Sequence, residues 1–348
     1  MAVFKILSID GGGLRGVVPL TILKKVEELT GKPIWQSFDL IAGTSTGGLL
    51  ASALTIPKDP KDKNAGAKHS LDHLMSVYLD RGKEIFPPPG FFGRMLGAAD
   101  GALHPMFKDD GIKSVFQDVC KDSRLNDSLT NIMVCAYDLN NNVPIFFKSR
   151  SSRKDPNQNI LIYQVARATS AGPTYLTAFE LNYPNDGEKP ERLCIDGGVF
   201  INNPSMGALS EFSKNHNEYG YASVKGDIDY DQVFVLSIGT GTYSGQITAD
   251  EAKNKGKLFW ATRISDVMMR GVNRTTDYEM KEMMVPGNYV RLTINIEKEE
   301  FAEMSRADKA ASDYLINETN KQVLNKVEKM DELKKFLVKA GLANKTIV

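Results

Sequence analysis

Histidine and cysteine, the two residue types that dominate many enzyme active sites, are scarce in this 348-residue chain, with four and three copies. Cys120, Cys135 and Cys194 form no CxxC pair and share no zinc-type spacing with a histidine. They read as reduced, buried thiols acting as small hydrophobes, as in a cytoplasmic protein. No apolar run approaches the ~18 residues that a membrane-spanning helix needs. A secretory leader is not expected either, because a strand begins by Val3 and a glycine loop at Gly11, inside the ~15–30 residues that cleavage would remove. Excess charge is missing as well. Lys plus Arg and Asp plus Glu both number 43, which argues against a nucleic-acid polymer as partner. No acidic loop resembles a calcium site. The chain has no internal repeat, heptad register, low-complexity tail or evident linker.

What is present is an ordinary globular composition, 42% hydrophobic and 25% charged, in a chain long enough for a substantial core. Val3–Ile9 reads as a buried strand that runs into Asp10-Gly11-Gly12-Gly13-Leu14-Arg15-Gly16 and then a helix over 17–29. A second strand over 38–42 turns at Gly43-Thr44-Ser45-Thr46-Gly47-Gly48 into an apolar helix over 49–55. Two successive strand–glycine turn–helix units predict a parallel sheet with helices packed on it. Residues 57–68 read as a polar surface loop, and 87–105 as a Gly- and Pro-rich insertion. Further strands are expected at 132–137, 145–147, 193–195, 233–238 and 289–294. Further helices are expected near 112–119, 160–168, 204–214, 258–284 and 305–341, the last broken in two.

Gly43-Thr44-Ser45-Thr46-Gly47 matches GxSxG between a strand and a helix. Such a turn exposes a serine hydroxyl where helix N–H groups can stabilise negative charge, although a serine N-cap leaves the same trace. The Gly11–Gly16 stretch also has two readings. GxGxxG after a strand is a dinucleotide fingerprint, and consecutive glycines equally present N–H donors to an oxyanion, with the Arg15 charge nearby. Against the dinucleotide, the second strand ends in Ile41-Ala42 with no acid for a ribose. The two glycine turns also fall at the same ends of adjacent strands, as acyl transfer requires of a nucleophile and its oxyanion donors.

The serine needs a base. His69 and His73 are one helical turn apart with no third metal ligand near, His104 adjoins Pro105, and His216 sits at a helix end. None follows a late strand, and all four read as surface residues or local structural partners. Asp196 is the stronger candidate: Leu193-Cys194-Ile195 delivers it into Gly197-Gly198, although an Asp-Gly turn looks the same. Asn203 is placed to cap the next helix.

These motifs resemble the patatin-like phospholipase family: DGGGLRG at 10–16, GTSTGG at 43–48, ATSAGPTYL at 168–176 and DGGVFINNP at 196–204, in the family's order, with LSIGTG at 236–241 like its later glycine turn. Gly172 stands where many relatives have alanine. The resemblance implies an α/β fold, a patatin-like variant of the α/β-hydrolase-type architecture with a central, mostly parallel sheet flanked by helices. It implies one catalytic domain over 1–348, with motifs in 3–240 and a helical extension from about 245. It makes Ser45 and Asp196 a catalytic dyad and Gly11, Gly12, Gly13 and Arg15 the oxyanion hole, with no metal and no cofactor. Its substrates would be phospholipids or other acyl-lipid esters, met through peripheral membrane contact, and some relatives answer to a small-nucleotide activator. An idle storage or binding protein on the same fold is the rival reading. Asp196, with an ordinary aspartate pKa near ~3.9, would be a weak base, so burial or a bond to Ser45 should tune it. Phe91, Phe92 and Met95 suggest a lid or membrane-touching loop. Met268, Met269, Met280, Met283 and Met284 suggest either an acyl channel or ordinary core.

Overall fold

A computed structural model describes residues 3–85, 109–173, 175–183, 192–221 and 230–347, without the side chains of 109–110, 257–259, 261–263 and 265. The 87–105 insertion, with Phe91, Phe92, Met95 and His104, lies outside the described residues.

Strands β1 (Phe4–Ile9), β2 (Leu40–Thr44), β5 (Asn131–Asp138), β9 (Val233–Ile238) and β11 (Tyr289–Leu292) pair in parallel, in the spatial order β11-β9-β1-β2-β5. β3 (Pro57–Asp59) and β4 (Asp62–Ala67) make a separate antiparallel hairpin where a loop was expected. β6 (Val143–Lys148), β7 (Phe179–Leu181) and β8 (Arg192–Asp196) add antiparallel pairing to the main sheet, and β10 (Thr242–Tyr243) pairs with β12 (Asn295–Ile296). The helices used below are α1 (Val17–Thr30), α2 (Ile34–Ser37), α3 (Thr46–Ala53), α4 (Leu71–Ile85), α5 (Asp109–Cys120), α6 (Ser149–Lys154), α7 (Ile162–Thr169), α8 (Ser205–Asn215), α9 (Ala249–Asn254), α10 (Lys257–Met283), α11 (Lys309–Thr319) and α12 (Val327–Lys339).

The sheet is buried on both faces, so its strands read as continuous apolar runs. Alternation along each strand still sorts side chains into two layers. Leu7, Ile9, Ile41, Val134 and Leu236 face one core with α1, α3 and α7. Phe4, Ile6, Ala42, Met133 and Val235 face the other, where Phe212 of α8 and Met280 of α10 close the layer. The architecture is thus mixed α/β, with a central, mostly parallel sheet between helices.

Two features of register position the site. β5 gives one edge to β6 over Met133–Asp138, so β2 and β8, whose pairings with β5 fall within or beside that span, share the opposite edge. β2 runs up that edge to Thr44, opposite Cys135, and β8 runs down it to Asp196, opposite Ala136. The two strands therefore meet end to end, each at its C-terminus. The residues after about 245 are more than a helical extension, since β11 completes the sheet beside β9 and Phe336 of α12 packs against Phe234. Among the described residues, no helix is long and apolar enough to cross a membrane.

Candidate active site

Ser45 occupies the sharp turn between β2 and α3, with φ 54° and ψ −124°, a conformation that L-residues rarely adopt. The flanking glycines make this turn sterically feasible. A Cβ on Gly47 would lie 2.1 Å from the Ile9 carbonyl oxygen, and one on Gly43 would lie 2.1 Å from the Gly47 carbonyl oxygen. Three neighbours hold the strained turn. The Ser45 N–H donates to Thr169 Oγ1 (2.8 Å), Thr44 Oγ1 donates to the Ile201 carbonyl (2.7 Å), and Thr46 Oγ1 bonds the Tyr78 hydroxyl of α4. Ser45 also precedes the first turn of α3, where the Thr46 and Gly47 N–H groups have no intrahelical acceptor.

Asp196 ends β8 and is half-buried where the two strands meet. Its carboxylate accepts from the Gly198 N–H (2.7 Å), and the Ser45 side chain lies close enough to act on its charge. Burial pushes its pKa up to about 6, against the opposing pull of the nearby Ser45 side chain and the Gly198 N–H. At neutral pH it is ionised yet a better base than an exposed aspartate. Its own N–H donates to the Ala171 carbonyl (2.9 Å). The 169–171 segment thus ties down both partners: Thr169 holds the serine backbone, in turn donating to the Cys135 carbonyl (2.5 Å), and Ala171 holds the aspartate backbone. The ATSAGPTYL stretch was visible in the sequence, but this double attachment was not.

The glycine loop leaves β1 beside the serine. Gly13 has φ 56°, and a Cβ there would lie 2.4 Å from the Met304 carbonyl oxygen, so only glycine fits. The N–H groups of Gly11, Leu14 and Arg15 donate to the carbonyls of Asn202, Met304 and Gly12. Among the described residues, those of Gly12 and Gly13 have no acceptor. The Gly11 carbonyl accepts from Thr240 Oγ1 (2.6 Å) and Asn202 Nδ2 (3.5 Å), which fixes the Gly11–Gly12 peptide and directs the Gly12 N–H the opposite way. A side chain on Gly11 would meet both Asn202 Oδ1 (2.4 Å) and Ser45 Cβ (3.2 Å), so loop, serine and Asn202 converge on one spot. Asn202 and Thr240 are contributors that motif spacing did not single out, because their partners lie about two hundred residues away. Asp10 is not part of the reactive group. It is buried in a bidentate pair with Arg291, which also donates to Ser237 Oγ (2.6 Å).

Arg15 points its guanidinium away from the loop N–H groups, to the carbonyls of Gly12 (3.4 Å) and Ala302 (3.3 Å). The histidines take local structural roles. His69 Nε2 bonds the Val119 carbonyl (2.8 Å), its pKa is pushed down to about 4 mainly by burial, and its ring stacks on His73. His216 bonds the Ser213 carbonyl. The methionines do not line one channel: Met280 and Met284 are core, while Met268 and Met283 are both 54% exposed. Among the described residues no cluster of His, Cys, Asp and Glu could hold a metal ion.

Residues 7–209 match the family model described as patatin-like phospholipase. The potato (Solanum tuberosum) protein "Patatin-2-Kuras 3" is 29% identical over 342 residues, covering 93% of this chain and 84% of its own. Another potato protein, "Probable inactive patatin-3-Kuras 1", is 29% identical over 307 residues, covering 83% and 78%. The crystal structure of VipD from Legionella pneumophila aligns over 96% of this chain and 71% of its own at 13% identity, with a TM-score of 0.36.

Proposed function

The chain belongs to the patatin-like phospholipase family, whose members are lipid acyl hydrolases, and from that premise we propose that it cleaves phospholipid acyl esters with Ser45 as nucleophile and Asp196 as base. One observation carries the assignment: the Ser45 side chain stands beside a half-buried carboxylate with a raised pKa, at the point where two strands end. No histidine among the described residues bonds either group.

In the first step the Ser45 proton passes to Asp196 as Oγ bonds to the ester carbonyl carbon. The electron pair of the carbonyl moves to its oxygen, facing the Gly12 and Gly13 N–H groups and the Thr46 N–H after the nucleophile. Collapse of this intermediate expels the lysolipid alkoxide, which takes the proton back from Asp196. Water then attacks the acyl-serine with Asp196 again as base, releasing the fatty acid and restoring Ser45. Gly11 and Arg15, whose N–H groups are already bonded, shape the loop without donating to the oxyanion. A substrate that resides in membranes brings the enzyme into peripheral contact with them.

A fluorophosphonate probe should label Ser45, and Ser45→Ala should abolish labelling. Mass spectrometry of products from a mixed-chain phosphatidylcholine should show one acyl chain released by the wild type and none by Ser45→Ala or Asp196→Asn. Full activity in either variant would overturn the dyad. An unlabelled wild type with no product would favour the idle-protein reading, in line with the name "Probable inactive patatin-3-Kuras 1" of one relative.

A further inference from the structure

A small half-open cleft, with a cavity volume of about 60 Å³, adjoins the glycine loop. Asn202 joins the two regions, because it lines this cleft and also stands against Gly11 beside Ser45. Most of the wall is polar, and its charges are two guanidinium groups, Arg15 and Arg270, and one carboxylate, Asp266. Such a lining suits a hydrated ionic group and not an acyl chain. Neither arginine has a carboxylate within ion-pairing distance among the described residues. Backbone carbonyls orient both, Gly12 and Ala302 for Arg15, and Asp266, Tyr243 and Gly245 for Arg270. These bonds use Nε and Nη1 on each side chain, so that among the described residues Nη2 of each has no acceptor and is placed to meet an incoming anion. Asn273, one turn along α10 from Arg270, adds an amide to the same wall, where it accepts from Asn202 Nδ2 (3.2 Å).

We propose that this cleft is the subsite for the phosphodiester of the substrate headgroup, with Arg270 and Arg15 gripping its unesterified oxygens. The inference rests on the hydrolase reading and deepens it. Carbonyls preorient both guanidiniums, and a phosphate offers them the planar, charge-assisted bonds that arginine makes best. Position supports the class of ligand. Arg15 Nε bonds the Gly12 carbonyl, so one cation stands a residue away from the proposed oxyanion donors. In a glycerophospholipid only a few bonds separate phosphorus from a scissile ester carbonyl. Phosphate in the cleft would therefore set an ester over Ser45 and leave the acyl chains to extend elsewhere. Asp266 opposes the anion and limits its affinity, which allows product to leave.

Binding can be read without turnover in Ser45→Ala protein, by calorimetry with a short-chain phosphatidylcholine below its micellar concentration. Adding Arg270→Gln should weaken binding by about 10–100-fold, the value of a charge-assisted contact. The diacylglycerol with the same chains should bind both proteins equally. Asp266→Asn should tighten the phosphatidylcholine several-fold, a gain that damage to the fold would not produce. Equal weakening of both ligands by Arg270→Gln, or weaker binding in Asp266→Asn, would overturn the subsite. Inorganic phosphate should compete only weakly, whereas a match to the intact lipid would make this a free-anion site and overturn the headgroup assignment. Hydrolysis of the same phosphatidylcholine by wild-type protein reports separately on the hydrolase reading, since a protein that binds through Arg270 without cleaving would fail that reading alone.

Discussion

Two residues carry the proposed chemistry, and the burial that would make Asp196 a useful base also leaves a mark on stability. With its pKa raised to about 6, activity should fall as pH drops through that value, giving the acid limb of a kcat/KM profile an apparent pKa near it. A limb near 4 would mean that Asp196 is not the group read. Because the folded pKa lies above the unfolded value, ionisation disfavours the folded state. That penalty is absent below about pH 4, grows as pH rises, and is complete above about pH 6 at up to roughly 2–3 kcal/mol. Asp196→Asn should therefore be inactive yet more stable than wild type at pH 8, with the gap closing at pH 4, as denaturant titration at the two pH values would show. Thr169 gives a second prediction. Thr169→Val keeps the shape but removes the acceptor for the Ser45 N–H and the donor to Cys135. It should lower kcat by about 10–100-fold through misplacement of the hydroxyl while KM stays close to wild type, and equal loss in both parameters would point to a merely structural role. Ser45 and Asp196 stood out as candidates in the sequence because the chain must turn sharply at each, and sharp turns carry glycines. Thr169 was not readable as a clamp, since its partner lies 124 positions away and no local pattern encodes that distance.

At the scale of elements, the apolar periodicity of β1, β2, β5, β9 and most helices was enough to place them, because each buries a face or both. The exceptions have physical reasons. The β3–β4 hairpin is largely solvent-exposed, so its residues show no burial-driven alternation, and a polar stretch of this kind looks like a loop. Helix α4 does carry a signal, in Leu71, Leu74, Val77 and Tyr78, diluted by the polar residues between them. The antiparallel run of β8 was beyond reach, because direction within a sheet leaves no trace in a five-residue strand. That direction matters here, since it brings Asp196 down to the level of Ser45. The crossing of α3 over β1 is equally exacting. Gly47→Ala places a methyl 2.1 Å from the Ile9 carbonyl oxygen, and backbone on both sides leaves little room to yield. The variant should lose about 1–3 kcal/mol by thermal or denaturant unfolding, the usual cost of overpacking, and nearly all labelling of Ser45. Wild-type labelling in a folded Gly47→Ala protein would show that the elbow is looser than this packing requires.

Across the whole molecule, the last hundred residues carry no recognisable motif, yet they complete the site. β11 supplies the outer parallel strand and Arg291, whose guanidinium neutralises Asp10 at the head of the glycine loop, 281 positions earlier. The Met304 carbonyl receives the Leu14 N–H, the Ala302 carbonyl holds Arg15, and Asn273 of α10 bonds Asn202. Removing them would expose one face of β9 and leave Asp10 buried without its counter-ion, a defect that costs about 3–5 kcal/mol where one partner of a buried pair is deleted. Such a loss approaches the whole stability of an ordinary domain, about 5–15 kcal/mol. The proposal that residues 1–348 form one domain therefore predicts a single cooperative unfolding transition for the full chain. It predicts equally that a chain cut after residue 245 shows no cooperative transition and no fluorophosphonate labelling, although it retains Ser45, Asp196 and every glycine of the motifs. A truncated protein that melts cooperatively and still labels at Ser45 would mean that the motif-bearing region folds alone and that the remainder is an appendage.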